Sequence, residues 1–291
     1  MGITMKFAAS LTEELERNVA AALTEDIDKG DLSARLIPAD KIAQATVITR
    51  EHAVLCGTAW FESCFKQLDP TIDIAWQAHD GDNIAPNQLL CTIKGPARAL
   101  LSAERSALNF LQLLSAVAGN TRQYVHAIAG TQARIVDTRK TIPGLRLAQK
   151  YAVKCGGGDN HRFGLYDAIL IKENHILAAG GIAAALAAVQ HTDACTFVQI
   201  EVETLNELSQ ALAAGATMIL LDNMPLEEMC EAVRINKAQE KPALLEASGN
   251  VNLDSVRRIA ETGVDRISIG GLTKNLRAVD LSLRLRMISD A

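Results

Sequence analysis

The chain has 291 residues, long enough for two domains, and 48% of them are hydrophobic, enough for a sizeable core. Aromatics are only 4%, so Leu, Ile, Val and Ala must fill that core. A net charge of -5 argues against a general nucleic-acid or membrane-surface binder, which needs a basic footprint, yet it leaves room for a local cluster of cations around an anionic substrate.

The six cysteines, Cys56, Cys64, Cys91, Cys155, Cys195 and Cys230, form no CxxC pair and sit at no zinc-ligand spacing. They read as small buried hydrophobes of a reducing compartment. The first residues show no secretory signal, and Lys6 breaks the myristoylation pattern that Gly2 begins. No apolar run reaches membrane-spanning length. These features predict a cytoplasmic protein.

In chain order, a helix is predicted from Leu11 to Leu23, capped by Ser10 or Thr12 and broken by Asp26, Asp28, Gly30 and Asp31. Residues 45–50 and 72–76 alternate like strands, Asp80-Gly81-Asp82 signals a turn, and residues 89–93 form another short strand closed by Gly95-Pro96. A long helix runs from Arg98 to about Ala118, punctuated by Gly119. After Gly130 short β-branched runs alternate with Ala/Leu-rich helical stretches. The runs are residues 133–137, 168–172, 197–201, 218–222, 244–247 and 266–269. Strands alternating with helices imply right-handed βαβ units and a parallel sheet. Six units fall short of a complete barrel. The predicted fold is therefore an α/β protein: an N-terminal α/β domain over residues 1–118 and an open, incomplete α/β barrel over residues 119–274. A last helix, Leu276 to Met287 within residues 275–291, is expected to return to the first domain. A doubly wound open sheet is the second choice.

In parallel α/β folds the functional residues gather at the carboxyl ends of the strands. Here those ends are unusually polar: Asp137-Thr138-Arg139-Lys140-Thr141, Lys172-Glu173-Asn174-His175, Glu201-Val202-Glu203, Asp222-Asn223, Glu246-Ala247-Ser248-Gly249-Asn250 and Gly270-Gly271. One charged strand end is ordinary, because any strand must exit into water. Six in succession fit a site better. Crowding Arg139, Lys140, His161, Arg162 and Lys172 costs Coulomb repulsion unless an anion binds, which implies a polyanionic ligand. The plainer reading is a set of surface charges with local partners. Glu201 and Asp222 end adjacent strands and suit either Mg²⁺ or ribose hydroxyls, the plainer reading being helix caps. Ser248-Gly249-Asn250 and Gly270-Gly271 look like phosphate loops, since Gly lets backbone N–H groups approach an anion. Gly156-Gly157-Gly158 lacks the strand-to-helix context of a dinucleotide fingerprint.

Several stretches together resemble the quinolinate phosphoribosyltransferase family. They are Glu25-Asp26 with Gly30-Asp31-Leu32, Glu104-Arg105 with Leu108-Asn109, Asp137 to Thr141, and Pro143-Gly144-Leu145-Arg146. They continue with Gly156-Gly157-Gly158 and His161-Arg162, Ile171-Lys172 with Asn174-His175, and Ser248-Gly249-Asn250. The matches run in order from about Glu25 to Leu283. The resemblance implies an N-terminal α/β sandwich followed by an open α/β barrel, working as a dimer or larger assembly. It implies quinolinate and phosphoribosyl pyrophosphate as substrates, Mg²⁺ as cofactor, and a step in NAD biosynthesis. It places Arg105, from the neighbouring subunit, with Arg139, His161, Arg162 and Lys172 around quinolinate. Lys140, Glu201 and Asp222 would face the ribose, pyrophosphate and metal, and Ser248, Gly249, Asn250, Gly270 and Gly271 the 5-phosphate. The turn Gly271-Leu272-Thr273-Lys274 departs from the Ala and His of many relatives, which leaves the role of Lys274 open. Two rival readings stand beside this one: a lyase using Lys172 as a Schiff-base lysine, and a quinolinate sensor without turnover.

Overall fold

The computed structural model describes residues 2–189 and 196–288. In chain order its elements are α1 (Gly2–Ile27), β1 (Ile42–Thr49), β2 (Ala53–Val54), α2 (Thr58–Leu68), β3 (Asp73–Trp76), β4 (Asn83–Ile84), β5 (Leu89–Pro96), α3 (Ala97–Ala127), β6 (Arg134–Val136) and α4 (Arg146–Cys155). There follow β7 (Ile169–Ile171), α5 (Glu173–Ala179), α6 (Ile182–Val189), β8 (Val198–Val202), α7 (Leu205–Ala213), β9 (Met218–Asp222), α8 (Leu226–Lys237), β10 (Leu244–Ser248), α9 (Leu253–Glu261), β11 (Arg266–Ser268), α10 (Gly271–Lys274) and β12 (Leu281–Met287). The chain divides into two compact units. The first comprises Met1–Asn120, Ile142–Gly156 and Asn275–Ala291; the second, Thr121–Thr141 and Gly157–Lys274. The long helix thus does not stop at Gly119 but runs on to Ala127.

The first unit is built on an antiparallel sheet of order β12-β1-β5-β3. Along β1 the residues Ala43, Ala45, Val47 and Thr49 are fully buried while their neighbours are more exposed, the period of two expected of a strand with one face on a core. Trp60, Phe61, Cys64 and Phe65 form the buried face of α2. Its N-terminus is closed by Asp80, whose carboxylate accepts the backbone N–H groups of Gly57 and Thr58, both at 3.1 Å, and the Tyr151 hydroxyl at 2.8 Å. Asp31 accepts the N–H groups of Ser33 and Ala34 and the Ser102 hydroxyl, and these bonds hold its pKa below the usual carboxylate range. The Gly-Asp stretch that contributes to the family resemblance therefore ties the turn after α1 to α3.

The segment expected to end the chain as a helix is instead the strand β12, paired antiparallel with β1 from Ala43↔Met287 to Thr49↔Leu281. The reason is visible in its residues. Leu281, Leu283, Leu285 and Met287 alternate with Ser282, Arg284 and Arg286, a strict period of two that a helix cannot place on one face. Cysteine burial also differs from expectation. Cys56, Cys64 and Cys91 are buried, but Cys155 is only half-buried and Cys230 is exposed, while Cys195 lies outside the described residues.

The second unit holds a six-stranded parallel sheet of order β6-β11-β10-β9-β8-β7. From β7 to β11 the spatial order follows the chain, and β6 closes the run beside β11. No reversal of order occurs, which rules out the doubly wound alternative and matches a barrel open between β6 and β7. Met218, Ile219, Leu220 and Leu221 are all buried along β9, as expected for a strand covered on both faces. The open seam is partly occupied by the segment around Asp159. Its N–H donates to the Ile135 carbonyl at 2.8 Å, and its carbonyl accepts the Asp137 N–H at 3.1 Å. Among the described residues no helix is long and apolar enough to cross a membrane.

Gly95 tests the packing of the first unit. A Cβ there would lie 2.6 Å from Ile72 Cγ1 and 3.3 Å from Ile72 Cα. Gly95→Ala is expected to destabilise the protein by about 1–3 kcal/mol, the usual range for forcing an extra carbon into a packed core. Chemical denaturation monitored by circular dichroism measures this, and an unchanged midpoint would mean that β5 and the turn before β3 can separate freely.

Candidate active site

Parallel strands all present their carboxyl ends to one side, and in the second unit those ends converge on one cavity of about 160 Å³. Every strand of the sheet contributes to its lining, directly or through the loop that follows it. Thr138, Arg139 and Lys140 come from the loop after β6, Leu170 and Lys172 from β7 and its end, and Glu201 from β8. Leu220 comes from β9, Glu246 and Ser248 from β10, and Ser268 from β11, while His161 and Arg162 come from the segment in the seam. A sheet whose two edge strands both reach one cavity must curl around it.

The loop after β6 is shaped locally. The Thr138 hydroxyl accepts the Lys140 N–H at 3.0 Å, and the Lys140 carbonyl accepts the Thr273 hydroxyl at 2.8 Å. Gly270 packs against the Lys140 side chain, where an added Cβ would lie 2.8 Å from Cδ. Asp137 is fully buried at the end of β6. One of its oxygens accepts the His161 backbone N–H at 2.8 Å and the other accepts the Asn160 amide at 2.6 Å. Arg162 then donates to the Ala168 carbonyl at 3.1 Å, just before β7. Burial lowers the pKa of Arg162, and the neighbouring Arg139 lowers it further against the pull of Asp167. A buried guanidinium whose charge is disfavoured by a second guanidinium beside a cavity is what an anion would relieve.

Lys172 reaches across to Glu201, with Nζ 3.0 Å from one carboxylate oxygen and 3.3 Å from the other. Burial raises the pKa of Glu201, partly offset by the Lys172 bond, and Asp222 on the next strand raises it further. Glu201 and Asp222 lie on neighbouring strands at the same end of the sheet, and two such carboxylates could hold Mg²⁺, which takes one or two carboxylates together with substrate phosphates. Asp222 does not cap the helix that follows, because the N-cap of α8 is Pro225. His175 proves structural: its Nδ1 accepts the Lys172 N–H at 2.9 Å as α5 begins.

The suggested phosphate loops lie side by side. Gly249 has φ +106°, and a Cβ there would fall 2.1 Å from Asn223 Oδ1, so a side chain is excluded on two counts. The Asn223 N–H donates to the Ser248 carbonyl at 2.9 Å, and Asn250 reaches Asn223 at 3.3 Å. Gly271 opens the short α10, and Lys274 ends it. Of the residues singled out from the sequence, Arg139, Lys140, His161, Arg162, Lys172, Glu201 and Ser248 line the cavity. Asp222 ends β9, Gly249, Asn250 and Gly270 stand in the loops that follow β10 and β11, and Gly271 opens α10. Arg105 belongs to the first unit and is exposed on α3 with Asn109.

Sequence reasoning missed Leu170, Leu220 and Ser268 in the lining, Gln199 behind His161, and the roles of Glu246 and Asp137, which it named only among the polar strand ends. Each lies two positions before a residue that was recognised: 170 before 172, 199 before 201, 220 before 222, 246 before 248, 268 before 270 and 137 before 139. Successive side chains alternate across a strand, so this spacing was the available signal.

An α/β barrel with convergent cations, a carboxylate pair and glycine loops at its strand ends defines an enzyme acting on an anionic, phosphate-bearing substrate. Residues 117–284 match the quinolinate phosphoribosyl transferase C-terminal domain model and residues 31–115 the N-terminal one. The chain is 46% identical to the nicotinate-nucleotide pyrophosphorylase of Francisella tularensis, with a TM-score of 0.90 over 94% of this chain and 96% of that one. It is 38% identical over 268 residues to a probable nicotinate-nucleotide pyrophosphorylase [carboxylating] of Bacillus subtilis, covering 92% of each. It is 36% identical to quinolinate phosphoribosyltransferase [decarboxylating] 1b of Nicotiana tabacum, covering 97% of this chain and 85% of the relative. The chain belongs to the quinolinate phosphoribosyltransferase family, a family of pentosyltransferases.

The raised pKa of Glu201 predicts a pH-dependent stability. A carboxyl whose folded pKa lies above its unfolded value contributes stability at low pH and loses it as pH rises through the folded pKa. Glu201→Gln should therefore melt higher than the parent protein at neutral pH, with the difference shrinking below about pH 4, under the unfolded value. Thermal melts at both pH values check this, and a variant less stable at neutral pH would show that the Lys172 ion pair outweighs the burial of Glu201.

Proposed function

We propose that this protein is a cytoplasmic enzyme that joins quinolinate to phosphoribosyl pyrophosphate, giving nicotinate mononucleotide, pyrophosphate and carbon dioxide in NAD biosynthesis. The observation that carries this reading is the crowding of Arg139, Arg162, Lys140 and Lys172 around one cavity beside Glu201. Arg139 and Arg162 suit two ring carboxylates, because a guanidinium matches a carboxylate in a planar fork. With those carboxylates held, the ring nitrogen, a weak nucleophile, is oriented toward the ribose carbon. The N–C bond forms as the C–O bond to pyrophosphate breaks, and the positive charge that builds on the ribose is stabilised by Glu201. Lys140 takes the negative charge of the leaving group. The alkylated ring then accepts the electron pair left when the 2-carboxylate departs as carbon dioxide, and a proton fills that carbon. Mg²⁺ held by Asp222 and Glu201 would neutralise pyrophosphate charge. The 5-phosphate suits the loops at Ser248, Gly249 and Asn250 and at Gly270 and Gly271. The Lys172–Glu201 ion pair speaks against a Schiff-base lyase, which needs a neutral amine.

The direct test mixes purified protein with quinolinate, phosphoribosyl pyrophosphate and Mg²⁺ and follows nicotinate mononucleotide by chromatography. Quinolinate binding without product would instead indicate a sensor. Nicotinate offers one carboxylate where the site offers two arginines. Leaving a buried cation site half filled costs roughly 2–5 kcal/mol, so quinolinate should be preferred by a factor of about 30 or more. Equal turnover of the two acids would overturn the assignment.

Arg105 enters the proposal from a second subunit of a homodimer. Its exposure on α3, one turn from exposed Asn109, leaves it on a face that can be offered to a partner. Arg105→Ala and Lys140→Ala homodimers should each be nearly inactive. Mixed dimers should recover activity, because both lesions then fall in one pocket and the other is intact. Absence of recovery, with subunit exchange confirmed by mass spectrometry, would place Arg105 outside the site.

A further inference from the structure

We infer that His161 works as a neutral imidazole with its single ring proton on Nε2, and that Gln199 is the positioning residue that holds it there. The inference deepens the proposed function and rests on it only for the identity of the bound acid. The tautomer follows from the geometry. His161 Nδ1 accepts the backbone N–H of Arg162 at 2.8 Å, so it carries no proton. The ring proton of a neutral imidazole must then sit on Nε2, which lies 2.8 Å from Gln199 Oε1. This also settles the amide: turned the other way, Gln199 would set its NH₂ against an N–H. Gln199 is fully buried and His161 is 7% exposed, so water cannot readily substitute for either bond.

The groups packed around the ring bear on this state. Phe197 meets it edge-on, with ring centroids 5.3 Å apart. Asp137 is spent on the His161 backbone N–H rather than on the ring. Glu246 Oε1 lies 3.7 Å from Nε2; its charge draws a proton to that nitrogen and also favours the imidazolium, which the Arg162 N–H donated to Nδ1 opposes. The other oxygen of Glu246 faces Arg266 at 3.3 Å.

Two consequences bear on the reaction. Both ring nitrogens are committed, so His161 adds no cation to the cavity, and the charge that meets the acid comes from Arg139, Arg162, Lys140 and Lys172. The attacking atom of a pyridine acid is its ring nitrogen, whose lone pair must be free. An imidazolium in the cavity would carry a second, acidic proton that could quench that lone pair, whereas a neutral ring whose one N–H is held by Gln199 has none to give.

The test reads the tautomer directly. In protein labelled with ¹⁵N-histidine, long-range ¹H–¹⁵N spectra distinguish the two neutral tautomers from the imidazolium, with His161 assigned by its loss in His161→Asn. The expected result is a protonated Nε2 and an unprotonated Nδ1 between about pH 6 and 8, where free histidine titrates, with and without quinolinate. An imidazolium in the quinolinate complex, or a proton on Nδ1, overturns the inference. Because the ligand-free spectrum needs no turnover, an inactive protein would fault the functional reading and leave this one standing. Two variants separate positioning from mere packing. Gln199→Leu removes the acceptor and should mix the tautomers and lower kcat/KM for quinolinate about tenfold, the scale of one lost buried hydrogen bond, with the KM for phosphoribosyl pyrophosphate unchanged. Gln199→Glu keeps an acceptor oxygen but favours the imidazolium; it should lower kcat while quinolinate affinity is kept or raised. Full kcat in that variant with His161 doubly protonated would overturn the inference.

Discussion

The second unit depends on one buried carboxylate. A parallel sheet of six strands leaves two edges, and here they are β6 and β7, consecutive in the chain and unpaired with each other. Asp137 closes the gap chemically. Fully buried at the end of β6, it binds the amide of Asn160 and the backbone of His161, while the chain on either side bonds to β6 and to the residue before β7. A buried charge without such partners would be costly, and removing one partner of a buried pair typically costs several kcal/mol. The strap therefore does two things at once. It fills the open side of the barrel, and it delivers His161 and Arg162 to the cavity from a direction that no strand end could supply.

With that frame set, the cavity is a place where charge is crowded. Arg139 disfavours the charge of Arg162, Glu201 is pushed toward its neutral form, and Glu246 sits fully buried between Arg266 and His161. Part of the strain is answered internally, as in the Lys172–Glu201 pair. The remainder is what a dianionic ring and a phosphorylated ribose would answer. Groups held in this way are already oriented, so their electrostatic effect needs no rearrangement when charge develops during a reaction. Stability and function pull against each other at Glu201 for the same reason: the ionised carboxylate that suits a developing cation is the one that burial opposes.

How legible all this was in the residues can be judged element by element. The six strand runs of the second unit appear where β-branched clusters predicted them, because a strand buried on both faces needs a short continuous apolar run. The polar ends of those runs were equally plain, and seven of the residues singled out there line the cavity. Failures came where two patterns overlap. The last segment contains four large apolar residues in seven positions, and it was read at helical period although its alternation is strict. The interior partners two positions upstream of the recognised residues passed as ordinary strand interior. Gln199 looks, in a list of residues, like any polar residue on a strand.

By itself the sequence determined the order of elements, the parallel character of the second unit and the side of the sheet where chemistry collects. Hydrophobic period and strand-to-helix alternation are local properties, and local residues carry them. Tertiary structure alone decided which distant residues became partners. That β12 would pair with β1 rather than coil follows from an edge of unpaired N–H and C=O groups some 240 residues upstream (Ala43↔Met287). That His161 would be held as one tautomer follows from the backbone of Arg162 on one side and from Gln199, 38 residues along the chain, on the other. Protonation, ion pairing and hydrogen-bond acceptance depend on distances of a few ångströms between groups remote in sequence, and only folding sets those distances.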